Sequence, residues 1–165
     1  MRNFLVFLFA FLLFSCNDGN FDSPSFNFSD ASIENCGNLV LFKINEAEVL
    51  LLNLNTDNSN NIFFKTAHDN ESFSLSDAII YRTYSANVTA SMFCQNIPPS
   101  SPSLQKEWLG NGTLIVNNTI TDNGDGTSNY LCTFTINDLQ LNNQSGNSII
   151  YDVYDYGTVT GSFDN

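Results

Sequence analysis

The sequence predicts an all-β protein, an antiparallel sandwich or barrel of about eight to ten short strands. Three observations carry this expectation. Apolar and polar residues alternate at period two through the second half of the chain. Clusters of Asn, Asp, Gly and Ser separate the alternating runs at turn spacing. Helical periodicity is nearly absent.

The elements follow in order. Phe26 and Phe28 alternate with polar neighbours and either belong to a tether or begin the first strand. Residues 38–44 and 47–54 are continuous apolar runs joined by Asn45-Glu46, as two central strands with a tight connection would be. For 47–54 a buried helix is the competing reading, because Glu, Ala and Leu favour helices. Residues 53–61 form a polar loop, and Ile62-Phe63-Phe64 a short strand. Further strands are expected over 79–85 and 87–94, the second placing Val88, Ala90, Met92 and Cys94 on one face. Ile97-Pro98-Pro99 and Pro102 cannot donate to a ladder, so a loop follows. A short helix is the alternative for 103–109.

The second half is the clearest. Over residues 112–121, Leu114, Val116, Asn118 and Ile120 share one face, with Ile115, Asn117 and Thr119 on the other. Tyr130, Cys132, Phe134 and Ile136 share one face of the next strand, opposite Leu131, Thr133 and Thr135. Between them Asp122-Asn123-Gly124-Asp125-Gly126 is dense in residues that tolerate positive φ, a hairpin signature. Strands over 139–141, 149–154 and 157–163 complete the set.

At the start of the chain, Arg2 precedes an unbroken apolar run from Phe4 to Phe14, too short to cross a bilayer, which reads as a secretory signal. The ending Leu13-Phe14-Ser15-Cys16 resembles the lipobox of bacterial lipoproteins, in which the leader is cut before the cysteine and acyl chains are attached to it. The resemblance implies a stable membrane tether, since more than one chain is carried and each buried methylene contributes about 0.8 kcal/mol. Residues 1–15 are thus expected to be the leader, 16–32 the lipidated Cys16 with a flexible tether, and 33–165 a single β domain. Asp18 and Asp22 resemble the acidic export signals that send some Bacteroidota lipoproteins to the outer face of the outer membrane.

All seventeen Asp and Glu lie after Cys16, against Lys43, Lys65, Arg82 and Lys106 there, a balance of −13. A field of that sign repels nucleic acid, which is excluded as a partner. Cys36, Cys94 and Cys132 remain for one disulfide in an oxidising compartment. Cys94 and Cys132 both fall on expected inward faces, while Cys36 sits where a terminus needs fastening. Cys36–Cys94 is favoured, with Cys94–Cys132 the main competitor; in the favoured pairing Cys132 is a buried thiol. No cysteine spacing resembles a zinc site, and no cofactor is expected.

Candidate chemistry is sparse. His68-Asp69 is the one His–carboxylate neighbour, and as part of a polar stretch it reads as a solvated loop. Glu46 with Glu48, or Asp152 with Asp155, would be the carboxylate pairs of a glycosidase. Asp122, Asn123 and Asp125 fail the alternate-position spacing of a calcium loop, because Gly124 and Gly126 stand at alternate positions. Trp108, after Glu107, and Tyr151, Tyr154 and Tyr156 would form a sugar-stacking platform if exposed and ordinary core if buried. Of these, Trp108, Tyr154 and Tyr156 are the candidate ligand-binding residues.

Beyond the lipobox, Phe26-x-Phe28, Cys36, Val40-Leu41-Phe42-Lys43-Ile44-Asn45, Tyr81-Arg82-x-Tyr84, Phe93-Cys94-x-x-Ile97-Pro98-Pro99-x-x-Pro102 and Glu107-Trp108 form an ordered string. It is similar to a lipoprotein group of flavobacteria and related Bacteroidota to which no activity is assigned. The resemblance covers most of residues 16–120. It implies an outer-membrane location, and it supports pairing Cys36 with Cys94. The reading is a non-enzymatic lipoprotein, lipid-anchored in the outer membrane and exposed at the cell surface, that presents a β domain to a glycan or protein partner. An accessory subunit of an envelope complex is the alternative, and a glycan-active enzyme the weakest.

Overall fold

The computed structural model describes residues 25–36, 40–54, 62–95, 97 and 99–165. The leader, Cys16, Asp18, Asp22, most of the 53–61 loop and Pro98 lie outside the described residues. The protein is all-β, with 66% of the described residues in strands. Seven antiparallel strands form one sheet in sequence order. They are β1 (Ile33–Asn35), β2 (Val40–Asn45), β3 (Glu48–Asn53), β4 (His68–Tyr84), β5 (Leu104–Asp122), β6 (Thr127–Asn143) and β7 (Ser148–Asp164). The sheet curls into a half-barrel. A Cβ on Gly157 of β7 would stand 3.1 Å from Ile33 of β1, so the first and last strands approach each other across the concave side.

The strands are fewer and longer than the sequence suggests. Residues 79–85 are only the end of β4, which starts at His68. The expected 149–154 and 157–163 strands are one, β7, because the ladder continues past a bulge at Tyr156, between the pairs Thr135–Asp155 and Phe134–Gly157. Residues 139–141 likewise extend β6 beyond Asp138, whose φ is 53°. A bulge resets the period-two parity without ending the ladder, and in sequence that reset looks like a strand boundary.

Three local expectations are corrected. Ile62-Phe63-Phe64 is no strand but the start of a one-turn helix, α1 (Ile62–Lys65). Phe63 and Phe64 are both buried, and neighbouring side chains of a strand cannot share one face. Residues 87–94 form no strand either, but a 3-10 turn at Ala90–Met92. The helix alternative over 103–109 gives way to β5, because Lys106, Glu107 and Trp108 pair with Thr83, Arg82 and Tyr81 of β4. Tertiary pairing outweighs the helix propensity of Gln, Lys and Glu.

Two hydrophobic clusters lie on opposite faces of the sheet. The concave face carries the larger, with Leu52, Tyr81, Trp108, Leu114, Phe134 and Ile136 at its centre. Phe26 and Phe28 cover it from the N-terminal side and α1 from another. Packing therefore begins ahead of β1, and the tether expected over 16–32 is not free from residue 25 onward. Gly110 keeps the inner layer close: a Cβ there would lie 2.9 Å from that of Ile79 and 2.7 Å from Leu141 Cδ2. The second cluster sits on the convex face of β2–β4, where Phe42, Val49 and Leu51 are covered by Val88 and Met92. The covering segment is held by the Cys36–Cys94 disulfide, Cα–Cα 5.1 Å. The favoured pairing is thus the one present, and Cys132 is free and buried.

Candidate functional site

The aromatic residues proposed from sequence do not make a sugar platform. Trp108 is 2% exposed on the concave face, its ring 4.9 Å from that of Tyr81. Tyr156 is fully buried and its hydroxyl donates to the Leu50 carbonyl at 3.3 Å. Tyr154 is half-buried against Phe26, with burial pushing its hydroxyl up to about 12. Only Tyr151 reaches solvent appreciably, and its ring lies against Phe26 and Tyr154. Stacking a pyranose needs an open ring face, which Trp108 and Tyr156 lack.

The other candidates are also placed. His68 is not a solvated loop residue; it lies buried at the start of β4, its Nδ1 2.5 Å from Glu71 Oε2 and its ring against Phe63 and Phe73. Asp69, its sequence neighbour, is exposed. Asp152 and Asp155 are both exposed on β7. In the 122–127 segment the side chains close the turn. Gly124 N donates to Asp122 Oδ1 at 2.8 Å, and Thr127 N to Asp125 Oδ1 at 3.0 Å. Gly124 and Gly126 hold φ of 76° and 87°, as the hairpin reading requires. Among the described residues no group of three His, Cys, Asp or Glu is gathered as a metal site. Cys132 is enclosed by the core, 3.4 Å from the Phe63 carbonyl, and burial pushes its thiol up to about 12.

Asn118 shows how a polar inward residue supports the fold. Its Nδ2 donates to the carbonyls of Phe63, Phe64 and Thr66 at 3.0, 3.1 and 2.8 Å, tying the end of α1 to β5. Those carbonyls would otherwise be left open at a helix terminus.

What the structure brings together is the convex face. Its half over β2–β4 is covered by the disulfide-held segment. Beside that cover runs a groove of about 470 Å³ lined by Leu51, Tyr84, Met92, Phe93, Leu104 and Arg82. Arg82 Nε donates to Glu107 Oε2 at 2.7 Å across the β4–β5 pair, so its charge already faces a carboxylate. Among the described residues, the half over β5–β7 carries no such cover. There the register stacks outward residues in seven ranks of three, from Leu109–Asn142–Ser148 to Thr121–Asn129–Ser162. Asp155 is the one ionisable side chain in those ranks, and Asp138 and Asp152 stand exposed between the second and third of them; no basic side chain lies among them. Threonine and asparagine dominate, with Leu109, Leu131, Ile150 and Val153 exposed among them. The signal was present in the sequence as Thr119-Ile120-Thr121, Thr133-Phe134-Thr135 and Thr158-Val159-Thr160. The register staggers them: Thr133 stands opposite Thr158, while Thr119 and Thr160 share a rank on either side of Leu131.

No family model, no curated protein and no solved structure matches this chain.

Proposed function

We propose that this chain is a binding module, lipid-anchored through Cys16 in the outer membrane, that recognises its partner on the convex face of β5–β7 without catalysing a reaction. The observation that carries the reading is the breadth and make-up of that face: seven ranks dominated by threonine and asparagine, with no basic side chain and Asp155, Asp138 and Asp152 as its acids. A broad face of hydroxyl and amide groups, bare of cover among the described residues, is a surface suited to contact. The leader, the lipobox resemblance and the likeness to flavobacterial lipoproteins support the anchoring. The burial of His68 away from solvent and the commitment of the turn carboxylates to backbone N–H groups support a role without catalysis.

One observation favours the second reading, an accessory subunit of an envelope complex. Ile150 and Val153 stand 65% and 64% exposed on the outward side of β7, the last strand of the sheet. Apolar side chains grouped on a sheet edge are characteristic of protein contacts.

An array of glycans and peptides, probed with the full chain and with a Leu131→Glu/Thr160→Glu variant, tests the module. Binding to any class that the variant loses supports it. Binding that the variant retains, or none at all, contradicts it.

A further inference from the structure

We infer that the convex face of β5–β7 binds a neutral, linear polysaccharide laid along the strands; this rests on the reading of that face as the recognition surface. The argument starts from charge. With Asp155 in the ranks and Asp138 and Asp152 between them, the ionisable side chains here are all acidic, and the face has no cation to hold sulfate, phosphate or uronate groups. The acidic remainder of the chain repels polyanions as well. Polyanions are thereby excluded, and a neutral ligand rich in hydroxyl groups matches the threonine and asparagine that dominate the face.

Chemistry narrows it further. Threonine offers a hydroxyl and a methyl at one position, asparagine an amide donor and acceptor, and Leu131 an apolar contact. A pyranose presents the same mixture, C–H patches between hydroxyl groups. The hydroxyls of Thr119, Thr121 and Thr160 form no hydrogen bond with another described residue, so they are available to a ligand. Thr133 and Thr158, by contrast, bond each other across β6–β7 at 3.0 Å, which fixes the lattice.

Geometry sets the ligand's form. Same-face residues repeat at about 6.7 Å along a strand, and strands lie about 4.8 Å apart. Seven ranks on three strands thus make a ribbon roughly 40 Å long and 10 Å wide. A repeating, elongated surface suits a repeating, elongated partner more than a compact one. At the hairpin end, where β5 and β6 meet the 123–126 turn, the ribbon opens into a shallow cavity of about 620 Å³. Thr119, Thr121, Asn129, Leu131, Thr160 and Ser162 line it, with Tyr130 at its margin. That volume falls in the range of small-molecule sites and holds one or two sugar rings at a chain end.

The test is co-sedimentation of the detergent-solubilised full chain with insoluble cellulose, chitin and β-1,3-glucan, beside alginate gel as a polyanion. The wild type is expected to pellet with at least one neutral polymer, and to do so equally at about 0.05 and 0.5 M salt. Leu131→Glu and Thr160→Glu, made singly, are each expected to lower the affinity roughly tenfold. Circular dichroism and the fluorescence of the single, buried Trp108 verify that both variants fold. A preference for alginate, or pelleting that neither variant alters, overturns the inference. Failure to pellet with every neutral polymer overturns it too; where an array then shows face-dependent peptide binding, the module stands and only the polysaccharide is removed. Self-association or inhibition of ice recrystallisation that depends on the face, without pelleting, likewise assigns the face elsewhere and overturns it.

Discussion

Trp108→Ala lowers the unfolding free energy by about 3–5 kcal/mol, the range for deleting a large buried aromatic. The expectation follows from position. Trp108 is paired with Tyr81 on β4 and Asn143 on β6, and its side chain lies inside the concave cluster. Its ring packs at 31° to that of Tyr81, which in turn meets Phe26 and Phe28 edge-on. Removing the indole therefore opens a cavity beneath the N-terminal cover as well as between two strands. A domain of this size has about 5–15 kcal/mol in hand, so the variant loses a large share of it. Urea denaturation followed by circular dichroism measures the loss, since the variant has no tryptophan left to report. A loss below about 1 kcal/mol would place Trp108 at the surface and contradict the described core.

Replacing both Cys36 and Cys94 by serine costs about 4 kcal/mol on the chain-entropy estimate for the 58-residue separation they bridge. The consequences concentrate on the convex side of β2–β4. There the covering segment is otherwise held by Val88, Met92 and Phe93 against Phe42, Val49 and Leu51, a small cluster. Hydrogen exchange is expected to rise first in residues 85–103 and to change least in β5–β7, where each pairing runs nearly the full strand length. Equal exchange in the two variants' covering segments, oxidised and serine-substituted, would show that the bridge does not hold that cover.

The contrast between what sequence reveals and what it hides has physical causes. The β5–β6 hairpin was legible because each side of its alternation has its own character: Leu114 and Val116 inward, Asn117 and Thr119 outward, then Asn and Gly in the turn. The pair β2–β3 was legible from two apolar runs around Asn45-Glu46, and Glu46 does take a left-handed φ of 54° there. The start of β4 was hidden because residues 68–72 carry no apolar residue. They are held as strand by pairing with Val116 and Asn118 of β5, not by their own pattern. Aromatic residues are ambiguous in principle: the same Trp or Tyr serves a core or a platform, and only the fold decides. Trp108 and Tyr156 proved to be core. The candidate face was written in the outward residues of the strands, yet polar residues on an outward face look like ordinary solvated surface. Its significance depends on which residues of three distant segments share a rank, Thr119 and Thr160 flanking Leu131 and Thr133 facing Thr158, which no local pattern announces.

If the convex face of β5–β7 holds a neutral polymer, amide chemical-shift mapping of the full chain in detergent micelles, titrated with a soluble neutral oligosaccharide such as cellohexaose, reads it residue by residue. Shifts are expected only in the outward ranks of β5–β7, strongest around Thr119, Leu131 and Thr160. Shifts centred instead on the groove beside Arg82, Phe93 and Leu104, or an unchanged spectrum at saturating sugar, would contradict it.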